Sequence, residues 1–133
     1  MKQLFYILLC LIFVFPKSAL SLGTSSDAEE LGLLAGLALA CGSQKKLDDY
    51  ELIASRLIAN AAATEQEEKN QIRVYMQAKW NAMQRQKNDP ALTCSEVLER
   101  FDQLPLFNSI VYRDGSVKLP DGKWSKPLRP NKY

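Results

Sequence analysis

The side chains with reactive potential are few in kind: three cysteines, fifteen carboxylates and no histidine among 133 residues. Cysteines can bridge, hold a metal as thiolates, or attack as nucleophiles. Cys10 lies inside an N-terminal apolar run that is expected to be removed, which leaves Cys41 and Cys94. Two cysteines without histidine are too small a donor set for zinc. They are far apart in sequence, with no C-x-x-C spacing, so a reactive thiol pair is the lesser alternative to a disulfide. A Cys41–Cys94 bridge closes a loop of about fifty residues, which the chain-entropy model values at ~4 kcal/mol. That is comparable to the whole net stability of a marginal domain.

The carboxylates gather in two clusters, Asp48, Asp49 and Glu51, and Glu65, Glu67 and Glu68. Paired acids can run hydrolysis when their surroundings push their pKa values apart. Each cluster also falls at the expected start of a helix, where negative charge complements the helix dipole. Lys45 and Lys46 after the first helix, and Arg85 and Lys87 at the end of the third, complete that pattern. Helix electrostatics is the leading account of these charges, and a small carboxylate-based hydrolase is the minor one. The serines have neither a G-x-S-x-G setting nor a histidine base. No G-x-G-x-x-G or P-loop sequence is present. The expectation is therefore no enzyme, with no catalytic, cofactor-binding or metal-binding residues.

The remaining feature is a charge asymmetry. From Arg113 onward, six basic residues stand against Asp114 and Asp121, a net +4. Tyr112, Trp124 and Tyr133 are interleaved with them. Tyr112, Lys123, Trp124, Lys126, Arg129 and Tyr133 are the candidate partner contacts, facing an unknown protein or an anionic envelope surface. The competing reading is a solvated tail folded back on the acidic helical body. Nucleic acid is not an expected partner for an exported chain.

Four helices must position these residues. Ser26-Asp27-Ala28-Glu29 reads as a capping box opening a helix that stops at Gly42, a C′ residue. Ala28, Gly32, Gly36 and Ala40 recur every four residues on it, with leucines around them. G-x-x-x-G can pair membrane helices, but this apolar stretch is too short to span. A buried core helix in close contact with its neighbours is expected. After a loop at Ser43–Leu47, a second helix from about Asp48 to Ala62 places Tyr50, Ile53, Ala54, Leu57, Ile58 and Ala61 on one stripe. Thr64-Glu65-Gln66-Glu67 opens a third, to about Lys87, with Ile72, Tyr75, Met76, Lys79 and Met83 on one side and Trp80 beside them. Thr93-Cys94-Ser95-Glu96 caps a fourth, which carries Cys94, Val97, Leu98 and Phe101 on one face. The bridge would thus join the end of the first helix to the start of the fourth, facing inward.

After Pro105, Ser109–Tyr112 and Ser116–Leu119 flank Arg113-Asp114-Gly115, a hairpin signal. Pro120-Asp121-Gly122 is a second turn, and an extended, partly mobile tail is expected from Lys123. The fold class is mainly α: a small four-helix orthogonal or bundle-like domain with a C-terminal β-hairpin and extended tail, and one disulfide. The expected organisation is 1–21 signal peptide, 22–104 helical domain, and 105–133 hairpin and basic tail.

Residues 1–21 carry the address. Lys2 is a positive n-region, Leu4–Phe15 an unbroken apolar run, Pro16 a break, and Ala19-Leu20-Ser21 a small-residue cleavage box. The alternative, an uncleaved anchor, suffers from a run shorter than the ~20 residues a span needs. Cleavage after Ser21 would remove Lys2 and Lys17 and leave fifteen basic against fifteen acidic residues. The mature chain would be neutral, periplasmic or extracellular, and without a transmembrane span. The form of the signal and the lysine- and asparagine-containing tail point to a bacterial source, with a eukaryotic secreted protein as the alternative. The arrangement is broadly similar to small helical periplasmic proteins in which one disulfide joins two helices, some of them stress chaperones, a likeness of architecture without a shared motif. The leading expectation is a non-enzymatic interaction or accessory module. A chaperone-like protein exposing its first helix under stress comes second.

Overall fold

The computed structural model describes residues 25–129. The expected signal peptide, its cleavage site and Tyr133 lie outside them. Four helices come first: α1 (Ser25–Ala40), α2 (Gln44–Ala61), α3 (Glu65–Asn88) and α4 (Cys94–Asp102). A 3₁₀ turn (Pro105–Asn108) leads into three short strands, β1 (Ile110–Val111), β2 (Val117–Lys118) and β3 (Trp124–Ser125). The strands form an antiparallel sheet in the order β1-β2-β3.

Helix α1 begins one residue before its expected N-cap, Ser26, whose side chain lies outside the described set. It ends in a Schellman turn. Ser43 N donates to Ala38 O at 3.0 Å, and Gly42 N to Leu39 O at 3.1 Å. Gly42 supplies the left-handed backbone this turn requires, with φ at 82°.

The turn leaves Ser43 poised to start the next helix immediately. Leu47 N donates to Ser43 O at 2.9 Å, so α2 starts at Gln44 and the expected loop is absent. Leu47 becomes a core residue, 1% exposed. This corrects the reading of the acidic cluster. Asp48, Asp49 and Glu51 sit beyond the first turn, and Lys45 and Lys46 occupy it. The dipole therefore does not account for those acids. Helix α3 does carry Glu65, Glu67 and Glu68 in its first turn and Arg85 and Lys87 in its last. Its Thr64 hydroxyl accepts from Glu67 N, while Glu67 accepts from Ala63 N rather than from Thr64. The full reciprocal capping box belongs to Thr93 and Glu96 on α4. There the two Thr93 donors hold the Glu96 carboxyl below its ordinary range.

The small-residue face of α1 packs on α3. Gly32 lies over Tyr75 and Ala78, and Gly36 over Lys79 and Ala82, so the contact advances along both helices in one direction. A Cβ at either glycine would sit 2.2 Å from a carbonyl oxygen of α3. The tight core helix expected from the sequence is thus realised. The same seam corrects part of the expected face of α3: Tyr75 is buried as that face requires, but Ile72 and Met76 are not. Backbones this close admit only small side chains, so Ala78 and Ala82 face α1. Ile72, Met76 and Trp80 are left 44%, 53% and 57% exposed.

Below this seam, Tyr50 is fully buried, and its hydroxyl donates to Leu31 O at 2.8 Å. Its ring packs on Phe101 and Phe107, with centroids 5.2 and 6.2 Å away. The disulfide joins Cys41 to Cys94. It does not face inward as expected: Cys94 is exposed and Cys41 half-buried. Both cysteines stand at helix ends, so the bond ties the end of α1 to the start of α4.

Candidate functional site

Three places could support function: a half-buried ionic cluster, a groove, and the outer face of the sheet. The cluster links α2 to α3. Glu51 accepts hydrogen bonds from Tyr75 Oη, at 2.9 Å, and from Lys79 Nζ. Burial, then the Glu51 charge and its hydrogen bond, push the Tyr75 hydroxyl well above its ordinary value. Such a phenol is held protonated, the opposite of an activated base. The carboxylate is matched by a cation rather than by a second acid. This is the geometry of a structural tie.

The groove runs between α1, α3 and the segment after Pro90, with a volume of about 290 Å³. Leu33, Leu37, Ala82 and Leu92 line it, with Glu29 and Arg85 among its polar members. It offers one carboxylate where a paired-acid mechanism uses two. Among the described residues no cluster of three histidine, cysteine or acidic side chains could hold a metal ion.

The sheet is built by two similar turns. Arg113-Asp114-Gly115 and Pro120-Asp121-Gly122 are three-residue loops, and each ends on a glycine with φ at 86°. In each, the aspartate accepts from the backbone two residues on: Asp114 from Ser116 N and Asp121 from Lys123 N, both at 2.9 Å. That bond draws the Asp114 carboxyl below its ordinary range. Loop length sets register. Val111, Val117 and Ser125 align in one row, and Ile110, Lys118 and Trp124 in the other. Val117 is fully buried and packs with Ile53 and Leu57 of α2.

Asn60 fastens this sheet to α2. Its amide Nδ2 lies within donating distance of Gly115 O, Ser125 O and Ser125 Oγ, at 2.9, 3.1 and 3.1 Å. The Asn60 backbone carbonyl accepts from Leu128 N at 3.3 Å. One buried side chain therefore holds the end of the first hairpin and the third strand together.

The opposite row faces outward. Ile110 is 51% exposed, Trp124 47% and Tyr112 40%. The Tyr112 and Trp124 rings pack at 5.2 Å. Lys118 Nζ and Lys126 Nζ lie 5.9 and 5.8 Å from the Trp124 ring centroid. Cations at this distance are attracted by the ring quadrupole.

Of the six candidate contacts, Tyr112, Trp124 and Lys126 are brought together on this face. Lys123 lies in the second turn, 3.8 Å from Asp121. Arg129 turns inward to pair with Glu68 of α3, a fold-back onto the acidic body that the sequence reading held open. Ile110 and Lys118 belong to the face but were not singled out. Their signal was the alternation in Ile110-Val111-Tyr112 and Val117-Lys118, combined with a third strand. The expected extended tail from Lys123 contains that strand, because Pro120-Asp121-Gly122 is a hairpin turn that returns Trp124 beside Lys118.

Comparison of the chain with family models, with curated proteins and with solved structures finds no match.

Proposed function

We propose that this chain is a non-enzymatic interaction module, exported to the periplasm or cell exterior, whose contact surface is the outer face of the C-terminal sheet. The supporting observation is the assembly of Ile110, Tyr112, Lys118, Trp124 and Lys126 on one side of a sheet whose other side is anchored in the core. Exposed aromatic and aliphatic side chains grouped with cations are costly to leave in water unless something covers them. Three-residue turns and the Asn60 amide hold the face rigid, so little order is lost on binding. The disulfide fits export, because such bonds persist in oxidising compartments. A photocrosslinking residue at Ile110 or Trp124 should give adducts in the producing cell, and one at Gln103 should not. Equal labelling from all three sites refutes the assignment of the surface.

One observation favours a second reading, a chaperone-like role. The exposed row Ile72, Met76 and Trp80 on α3 is an apolar stripe that could hold unfolded clients. It is on α3 rather than on the first helix. Suppression of client aggregation that is lost in Met76→Ser/Trp80→Ser supports this role. Equal suppression by the variant ends it.

A further inference from the structure

We infer that the outer face of the C-terminal sheet docks on an anionic lipid bilayer. The inference rests on the interaction-module reading and specifies its partner.

The chemistry of the face selects this occupant. Ile110 presents aliphatic surface that gains from an apolar phase, which a soluble polyanion does not provide. Trp124 and Tyr112 are packed rings with a polar edge, the type that settles at the headgroup level of a bilayer. Lys118 and Lys126 stand over the Trp124 ring, and neither forms an ion pair among the described residues. Their stems can lie along the apolar patch while their ammonium groups reach lipid phosphates.

The charge of the whole chain supports one orientation. Residues 113–133 carry a net +4, and residues 22–112 a net −4. A negatively charged surface attracts the sheet end and repels the helical end, so the patch is presented first. Among the described residues no helix is long and apolar enough to cross a membrane. The contact proposed is through side chains of the sheet face.

The test is sedimentation of the protein, as recovered from the producing cell with its disulfide intact, with phosphatidylcholine vesicles containing or lacking phosphatidylglycerol. Binding is expected only where the anionic lipid is present, and it should weaken as salt is raised. Lys118→Gln/Lys126→Gln should lower the partition coefficient by about tenfold or more, taking about 1 kcal/mol per surface cation. Trp124→Ser and, separately, Ile110→Ser/Tyr112→Ser should each lower it by about tenfold through lost apolar contact. Two independent apolar variants guard against one that disturbs the sheet, and circular dichroism confirms the fold of each. In a Trp80→Phe background, Trp124 emission should shift to the blue on binding. Equal binding to neutral vesicles overturns the proposal. So does binding undiminished in the apolar variants, since charge or the N-terminal apolar run would then suffice. Protein adducts from positions 110 and 124 without vesicle binding overturn the lipid inference and leave the interaction module standing. Absence of both overturns both.

Discussion

Gly36→Ala tests the α1–α3 seam, on which the placement of the other elements depends. An alanine Cβ would sit 2.2 Å from Lys79 O and 2.9 Å from Ala82 Cβ. The nearest comfortable carbon–oxygen approach is about 3.3 Å, so the helices must separate by about 1 Å. The obstructing atom is backbone in the middle of a helix and cannot swing aside as a side-chain tip would. Overpacking of this sort costs about 1–3 kcal/mol, and the lack of a flexible neighbour puts this site at the upper end. Alanine returns about 1 kcal/mol of helix propensity. The expected net loss is about 2 kcal/mol, or a Tm lower by roughly 10 °C for a domain of this size. The assay is urea and thermal unfolding followed by far-UV circular dichroism, with the disulfide oxidised throughout. Gly32→Ala, which meets Tyr75 O at the same 2.2 Å, should behave alike. The double variant should cost less than the sum, because helices already parted accommodate the second methyl. Stability equal to or above that of the parent protein would refute the reasoning, since propensity alone would then govern the site.

Other outcomes follow from the same contacts. Asn60→Ala should cost about 3 kcal/mol by orphaning several acceptors, with hydrogen exchange accelerated first in β2 and β3. Uniform acceleration through the helices would show that Asn60 does not act as a local fastener. Replacing both Cys41 and Cys94 by serine should lower stability by about 4 kcal/mol, from the 53-residue separation the bridge closes. A change under about 1 kcal/mol in the urea midpoint analysis would contradict that loop-closure account. Burial raises the hydroxyl pKa of Tyr50, with Glu30 and Glu51 adding to it, and burial with Glu51 raises that of Tyr75. These protons are held more tightly in the folded state, so their contribution is whole below about pH 10 and is lost as pH rises beyond it. The slope should approach about 1.4 kcal/mol per pH unit for each tyrosine. Tyr50→Phe should cost about 1 kcal/mol near neutrality through the lost bond to Leu31 O, and should reduce the alkaline slope by one tyrosine's share. An unchanged slope in Tyr50→Phe would contradict it.

Local patterns carried most of the architecture. The four helices, the bridge partners, the Gly42 terminus and the two Asp-Gly turns are each set by residues close in sequence or by elimination. The four-residue recurrence of Ala28, Gly32, Gly36 and Ala40 announced a close helix contact. What it could not name was the partner helix, because many helices can accept a smooth face. Once α3 took that place, sterics admitted Ala78 and Ala82 and displaced Ile72, Met76 and Trp80 to the surface. A hydrophobic stripe read alone assigns the largest apolar residues to the core, and at this seam the smallest ones win.

The candidate surface divides in the same way. Tyr112, Trp124 and Lys126 drew notice through their kinds and their net positive setting, which are properties of the chain alone. Their convergence, and the arrival of Ile110 and Lys118 beside them, required the third strand to pair in register with β2. The departure of Arg129 required Glu68, sixty-one residues away, to lie beside it. Composition and periodicity act over a few residues and report which side chains are available. Which of them share a face is decided by long-range packing, because backbone sterics and the alternation of a paired sheet assign each side chain a direction that no local pattern contains.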